Sequence, residues 1–214
     1  MKQHADINIE NIAAPTFEPD DYYERRVSHF AYLGVDRHDI VMVGDSLING
    51  CEWHELLNNP NIKNRGINCD TAEGVRQRIA VLAQGLPNKI FIMVGINDIS
   101  HDIDAPTIAG TIIKSVQEIH RISPTTRVYT HSLIPFDSSI HYTSLAGKEN
   151  TVREVNQTLL DCAEEYNYTF INIYTHFVSE NCYKIDRAYS NDGLHLNGAG
   201  YDRWREILKP YIDE

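Results

Sequence analysis

The sequence has no apolar run approaching the roughly 20 residues of a bilayer-spanning helix, so no membrane span is expected. It is also short of positive charge: 19 Lys and Arg against 30 Asp and Glu give a formal net charge of −11 at pH 7. Neutralising phosphates requires clustered cations, so nucleic acid is not an expected partner. An anionic membrane surface is disfavoured for the same reason. The N-terminus, MKQHADINIENIAAPTFEPDD, lacks the apolar core of a signal peptide, which makes the cytoplasm the expected location. Cysteine is scarce. Cys51, Cys69, Cys162 and Cys182 form neither a CxxC pair nor a zinc-like group and are expected to be free buried thiols. Two sequons, Asn156-Gln-Thr and Asn167-Tyr-Thr, lie in or beside a predicted helix and carry no weight without a secretory signal.

Several catalytic signatures are missing as well. The G-x-S-x-G elbow is absent because Ile48 stands where the second glycine would fall. There is no Walker loop, and Gly198-Ala199-Gly200 has neither the third glycine nor the βαβ setting of a dinucleotide site. None of the ten histidines forms an HExxH pair. Phosphate-cradling and metalloprotease chemistry are therefore not expected.

What is present is an ordinary globular chain of 214 residues, long enough for one packed domain and short for two. Asp39–Val43, Lys89–Val94, Arg127–Leu133 and Thr169–Tyr174 read as strands, and Asn61–Arg65 as a weaker one. Several are continuous apolar runs, as expected when both faces of a parallel sheet are covered. Helical spacing relates Val75, Ile79 and Leu82, with Asp70 and Glu73 resembling a capping box at that helix's start. Ile108, Ile112, Val116 and Ile119 form a second stripe, stopped near Pro124, and Val152, Val155, Leu159 and Ala163 a third. Each stripe is read as core. A last helix is expected from about Gly198 to Ile212. Alternating strands and helices predict a three-layer α/β/α domain over residues 39–214 with a mainly parallel sheet. Residues 1–38, with Pro15 and Pro19 ahead of a helix at Asp21–Leu33, read as a peripheral extension packed on that domain.

Such sheets place their sites at the carboxyl ends of the strands. Four segments fall there. Gly44-Asp45-Ser46-Leu47 leaves the first strand, presenting a hydroxyl at the sheet's edge, though Ser after Asp is also an ordinary turn former. In Asn64–Thr71, Gly66 serves either as a turn residue or as an exposed N–H donor. Asn97, in Gly95-Ile96-Asn97-Asp98, is either a cap or an amide donor to an oxyanion. Asp192-Gly193-Leu194-His195 places a His three residues after an Asp, which is either a base with its orienting partner or an incidental surface pair.

Together and in this order, the four segments resemble the SGNH/GDSL hydrolase family, whose blocks carry Ser, Gly, Asn and His. The resemblance runs from about Asp39 to Trp204 and is closest to small acetylhydrolases of the sialate O-acetylesterase-like and platelet-activating-factor-acetylhydrolase-like kind. That branch often has glycine where this chain has Cys69. The resemblance implies a flavodoxin-like five-stranded sheet and a serine esterase. Ser46 would be the nucleophile, His195 the base and Asp192 its orienting partner. Ser46 and Gly66 N–H groups with the Asn97 amide would form the oxyanion hole. Trp53 and His54 are candidate substrate contacts. No metal or organic cofactor is implied. The expected partner is a small-molecule ester, with acetylated carbohydrate suggested by the branch, and the sequence does not fix an oligomeric state. An acyltransferase using the same triad, a non-catalytic carbohydrate-binding module and an effector-binding α/β domain are the rival readings. A preference for short acyl groups is expected, because Ile134–Lys148 and Val178–Asn191, the main segments left over from strands and helices, are polar and offer no extended apolar surface.

Overall fold

The structure is a computed structural model in which residues 9, 12–179 and 183–214 are described. Five strands, β1 (Ile40–Gly44), β2 (Ile62–Gly66), β3 (Lys89–Met93), β4 (Arg127–His131) and β5 (Thr169–Ile171), form one sheet in the order β2-β1-β3-β4-β5. Every pairing is parallel. This is the doubly wound flavodoxin-like order, whose switch point lies between β1 and β3.

Alternation along the strands divides the core in two. Val41, Val43, Ile90, Ile92 and Val128 face one side, where α4 (Ala72–Ala83), α6 (Ala105–Ile122) and α7 (Glu149–Asp161) cover them. Ile40, Met42, Phe91, Met93 and Tyr129 face the other, against Trp204, Leu208 and Ile212 of α8 (Gly198–Asp213). These strands are apolar on both faces, which explains why they read as unbroken hydrophobic runs. The helical stripes are the buried faces of α4, α6 and α7.

Some local expectations need correction. The N-cap of α4 is Thr71, whose hydroxyl accepts the Gly74 N–H, and not Asp70. Asp70 is drawn away by a buried ion pair with Arg78, while Glu73 pairs with Arg76. The run at Thr169–Tyr174 supplies only three strand residues before turning at Tyr174–His176. Of the cysteines, Cys51 is buried, but Cys162 is half-buried and Cys69 exposed; Cys182 lies outside the described residues.

Ahead of the sheet, α1 (Asp21–Leu33) occupies the predicted span. Its Tyr23 hydroxyl donates to the Gly74 carbonyl at 2.7 Å, and buried Phe30 lies beneath the guanidinium groups of Arg26 and Arg65. No described helix is long and apolar enough to cross a membrane.

Candidate functional site

The strand register sets up the site. Gly44 lies opposite both Gly66 and Met93, so the segments leaving β1, β2 and β3 emerge at one edge of the sheet. The first opens a short helix, α2 (Ser46–Asn49), whose N-cap is Asp45. Asp45 Oδ1 accepts the Leu47 N–H at 3.0 Å, which fixes the turn and leaves Ser46 half-exposed at the helix start. The third opens α5 (Ile96–Ser100) after Gly95, whose φ of +138° is a conformation side chains rarely adopt.

The loop before α8 brings the base. Asp192 Oδ1 accepts the backbone N–H groups of Leu194 and His195 at 2.9 and 2.8 Å, folding the loop around the carboxylate. Asp192 Oδ2 then meets His195 Nδ1 at 2.8 Å, and His195 Nε2 meets Ser46 Oγ at 2.9 Å. Hydroxyl, imidazole and carboxylate thus form one hydrogen-bonded chain between residues 149 positions apart. Burial alone would raise the Asp192 pKa. Hydrogen bonds from His195, from the Leu194 and His195 backbone N–H groups and from Tyr142 outweigh it and hold the carboxyl well below the usual range. Asp192 is therefore ionised wherever an imidazole can act as a base.

Ser46, Asn97 and His195 line one cavity of about 550 Å³. Asn97 Nδ2 spends one hydrogen on the Asp70 carbonyl at 2.9 Å, which orients the amide and leaves the second hydrogen for the cavity. The neighbouring Asp98 carboxylate accepts the Ala72 N–H, tying α5 to the start of α4. Beneath, Arg78 donates to Asp70 and to the carbonyls of Arg65 and Gly44, so one guanidinium joins the ends of β1 and β2 to the intervening loop.

Gly66 does not take the expected place. Its N–H donates to Asn64 Oδ1 at 2.8 Å, and it does not line the cavity. Glycine is required there for packing, because a Cβ would lie 2.3 Å from the Asn49 backbone nitrogen. The loop residues that reach the cavity are Asn68 and Cys69, the latter in a left-handed conformation with φ of +62°. Neither the Cys69 nor the Ser46 N–H has a hydrogen-bond acceptor among the described residues.

Trp53 and His54 are corrected too. Trp53 is fully buried, donates its indole N–H to the Ile48 carbonyl and packs edge-on against Trp204. His54 is exposed, 3.7 Å from Glu55. Neither lines the cavity. His131, at the end of β4, is a core residue: it is buried against Phe91 and Trp204, and burial pushes its pKa down to about 3, so it is neutral. The sequence reading missed Tyr142, which lies against both His195 and Asp192. It comes from the supposedly spare segment Ile134–Lys148, which in fact supplies one cavity wall through Tyr142, Ser144 and Leu145.

Asp45 has a further consequence. It is completely buried, and its Oδ2 has no protein partner among the described residues. Burial raises its pKa to about 7, opposed by the Leu47 N–H and reinforced by Asp70 and Asp98. Burial likewise raises Asp98 to about 6. Both folded-state values exceed the roughly 3.9 of an unfolded chain. The stability these groups contribute is therefore fully present below about pH 4 and is lost as pH rises through 6–7. Asp45→Asn keeps an oxygen for Leu47 and removes the titration. Its melting temperature relative to wild type should rise by roughly 5–10 °C between pH 5 and pH 8, the equivalent of about 2.5 kcal/mol for a chain of this size. A difference independent of pH would refute the assignment.

A parallel sheet whose switch-point edge joins a hydroxyl, an imidazole and a carboxylate beside a cavity defines the class of the protein: a carboxylic ester hydrolase. It belongs to the GDSL-like Lipase/Acylhydrolase family, whose model matches residues 42–203. The chain is 28% identical over 211 residues to the platelet-activating factor acetylhydrolase IB subunit alpha2 of Rattus norvegicus, covering 92% of this chain and 85% of that protein. A GDSL-like lipase from Bacteroides thetaiotaomicron has the same fold, with a TM-score of 0.78 at 18% identity over 89% of this chain and 97% of that one. An acetylxylan esterase from Geobacillus stearothermophilus also superposes, with a TM-score of 0.66 at 16% identity over 84% and 95% of the two chains.

Proposed function

We propose that the protein hydrolyses short-chain, chiefly acetyl, esters through a Ser46-His195-Asp192 triad and an acyl-enzyme. The observation that carries this reading is the continuous 2.9 and 2.8 Å chain from Ser46 Oγ through the imidazole to Asp192. His195 Nε2 takes the Ser46 proton as Oγ attacks the carbonyl, then returns it to the leaving alcohol. Ionised Asp192 holds the Nδ1–H tautomer and stabilises the imidazolium. Negative charge developing on the carbonyl oxygen is met by the Ser46 N–H, the Cys69 N–H and the Asn97 amide. A second pass through the same proton relay lets water release the acid. In this reading the 1–38 segment is a peripheral extension of the 39–214 domain, and its helix α1 meets α4 through Tyr23 and β2 through Phe30.

The cavity lining is mixed: Asn49, Asn68, Ser100 and Ser144 stand among Ile96, Leu145, Leu194 and Leu196, and no Lys or Arg lines it among the described residues. A neutral leaving group that carries hydroxyls, such as an acetylated carbohydrate, suits this lining better than a charged alcohol. The acetylhydrolase and acetylxylan esterase among the similar proteins act on acetyl esters by name, which supports the same acyl group here.

The experiment is kcat/KM for p-nitrophenyl esters from acetate to decanoate. Each buried methylene is worth about 0.8 kcal/mol, so a true acyl groove would favour octanoate over acetate by several kcal/mol. The expected profile is flat or falling beyond butyrate. A steady rise with chain length would overturn the short-acyl reading. Acetate release without an added acceptor separates hydrolysis from acyl transfer to a sugar.

A further inference from the structure

We propose that Tyr142 is a positioning residue of the catalytic base, acting through Asp192 by sharing the carboxylate oxygen that His195 uses. The inference rests on the triad reading above and adds a fourth member to it. The Tyr142 hydroxyl donates to Asp192 Oδ2 at 3.0 Å, the same oxygen that receives His195 Nδ1 at 2.8 Å. The phenol oxygen is itself 3.0 Å from Nδ1, so the three atoms form a closed triangle. The Tyr142 ring also stands edge-on to the imidazole, with centroids 5.7 Å apart, which limits the planes the imidazole can adopt.

Tyr142 is not a free loop side chain that happens to fall there. Its segment is fastened at both ends to the elements that carry the site. The Asp137 N–H donates to the Gly193 carbonyl at 2.7 Å, in the loop that carries Asp192 and His195. Lys148 Nζ donates to the Ile99 and Ser100 carbonyls of α5 and pairs with Asp102. Buried Leu145 anchors the stretch between them. Any slip of this segment relative to the 192–195 loop breaks the triangle, so the hydroxyl registers whether the cavity wall is seated.

The chemistry follows from competition for one oxygen. A carboxylate that accepts from two donors on one oxygen is held in a single orientation, with that oxygen facing Nδ1. It is also less basic toward each donor. Burial, and after it the bond to Asp192, raises the Tyr142 pKa to about 12, so the phenol is a neutral donor throughout the working range. The other neighbours of the pair are Ser46 at Nε2, Ser190 Oγ at 3.3 Å from Asp192 Oδ1, and the backbone donors of Leu194 and His195. None of these bonds to Oδ2. Tyr142 is thus the donor that sets how strongly Oδ2 holds the imidazolium.

The test is Tyr142→Phe, which keeps the ring and removes only the hydroxyl. kcat for p-nitrophenyl acetate should fall about tenfold, as for loss of a hydrogen bond to a charged group. KM should stay within about twofold. The acid limb of the kcat/KM profile should move to higher pH, because the phenol is neutral and what it mainly does is screen the carboxylate. In an Asp192→Asn background the same substitution should cost little further, since Tyr142 acts through that carboxylate. A raised KM with unchanged kcat and an unmoved acid limb would make Tyr142 a wall of the substrate cavity and overturn the proposal. Full additivity with Asp192→Asn would overturn it as well. Both outcomes leave the triad standing, which Ser46→Ala tests separately. A thermal melt of Tyr142→Phe separates either result from unfolding.

Discussion

Replacing Ser46 or His195 by alanine should lower kcat by roughly 10³-fold or more, with the fold unchanged. Ser46 is half-exposed at the start of α2, and its hydroxyl has His195 Nε2 as its partner, so removing the oxygen opens no core cavity. The two groups act in one proton relay. Once either is gone the other has nothing to activate, and the double variant should be little worse than each single one. The check is kcat on purified proteins of matching circular dichroism. Multiplicative losses in the double variant would mean that the two residues work in separate steps.

Asn97→Ala should cost about 10²–10³-fold in kcat, equivalent to about 2.7–4 kcal/mol, the usual effect of losing an oxyanion donor. KM should change little, because the amide is aimed at charge that exists only in the transition state. Part of the loss has a structural component, as the same Nδ2 steadies the Asp70 carbonyl. Asn97→Asp removes both donations at once and brings a negative charge beside the cavity, so it should be at least as damaging as alanine, and a thermal melt of each variant measures the structural share. A selective KM effect in either variant would assign Asn97 to substrate binding instead.

The layer architecture was legible in the sequence because burial on both faces leaves unbroken apolar runs such as Ile40–Val43 and Ile90–Val94. The helices were legible because α6 and α7 keep one apolar stripe each. The GDSL and Asp-Gly-Leu-His segments were readable because the relevant side chains lie at strand ends and loop turns fixed by local bonds, such as Asp45 to Leu47 and Asp192 to His195. What failed was wherever tertiary competition decides. Asp70 looks like a cap until Arg78 claims it. Gly66 looks like the N–H donor because glycine tolerates close approach, yet Asn64 takes its N–H and the left-handed position falls on Cys69. Trp53 sits beside the nucleophile in sequence, but its ring completes the core under α8. Tyr142 lies in a stretch with no strand or helix period, and only the docking of that stretch onto the 192–195 loop gives it a role.

The central claim is that Ser46 is the residue that becomes acylated. A serine-directed fluorophosphonate probe, followed by peptide mass mapping, tests it most directly. The account predicts a single adduct on Ser46, none in Ser46→Ala, and markedly slower labelling in His195→Ala. Labelling of a different serine, or full esterase activity in a protein whose Ser46 remains unlabelled, would contradict it.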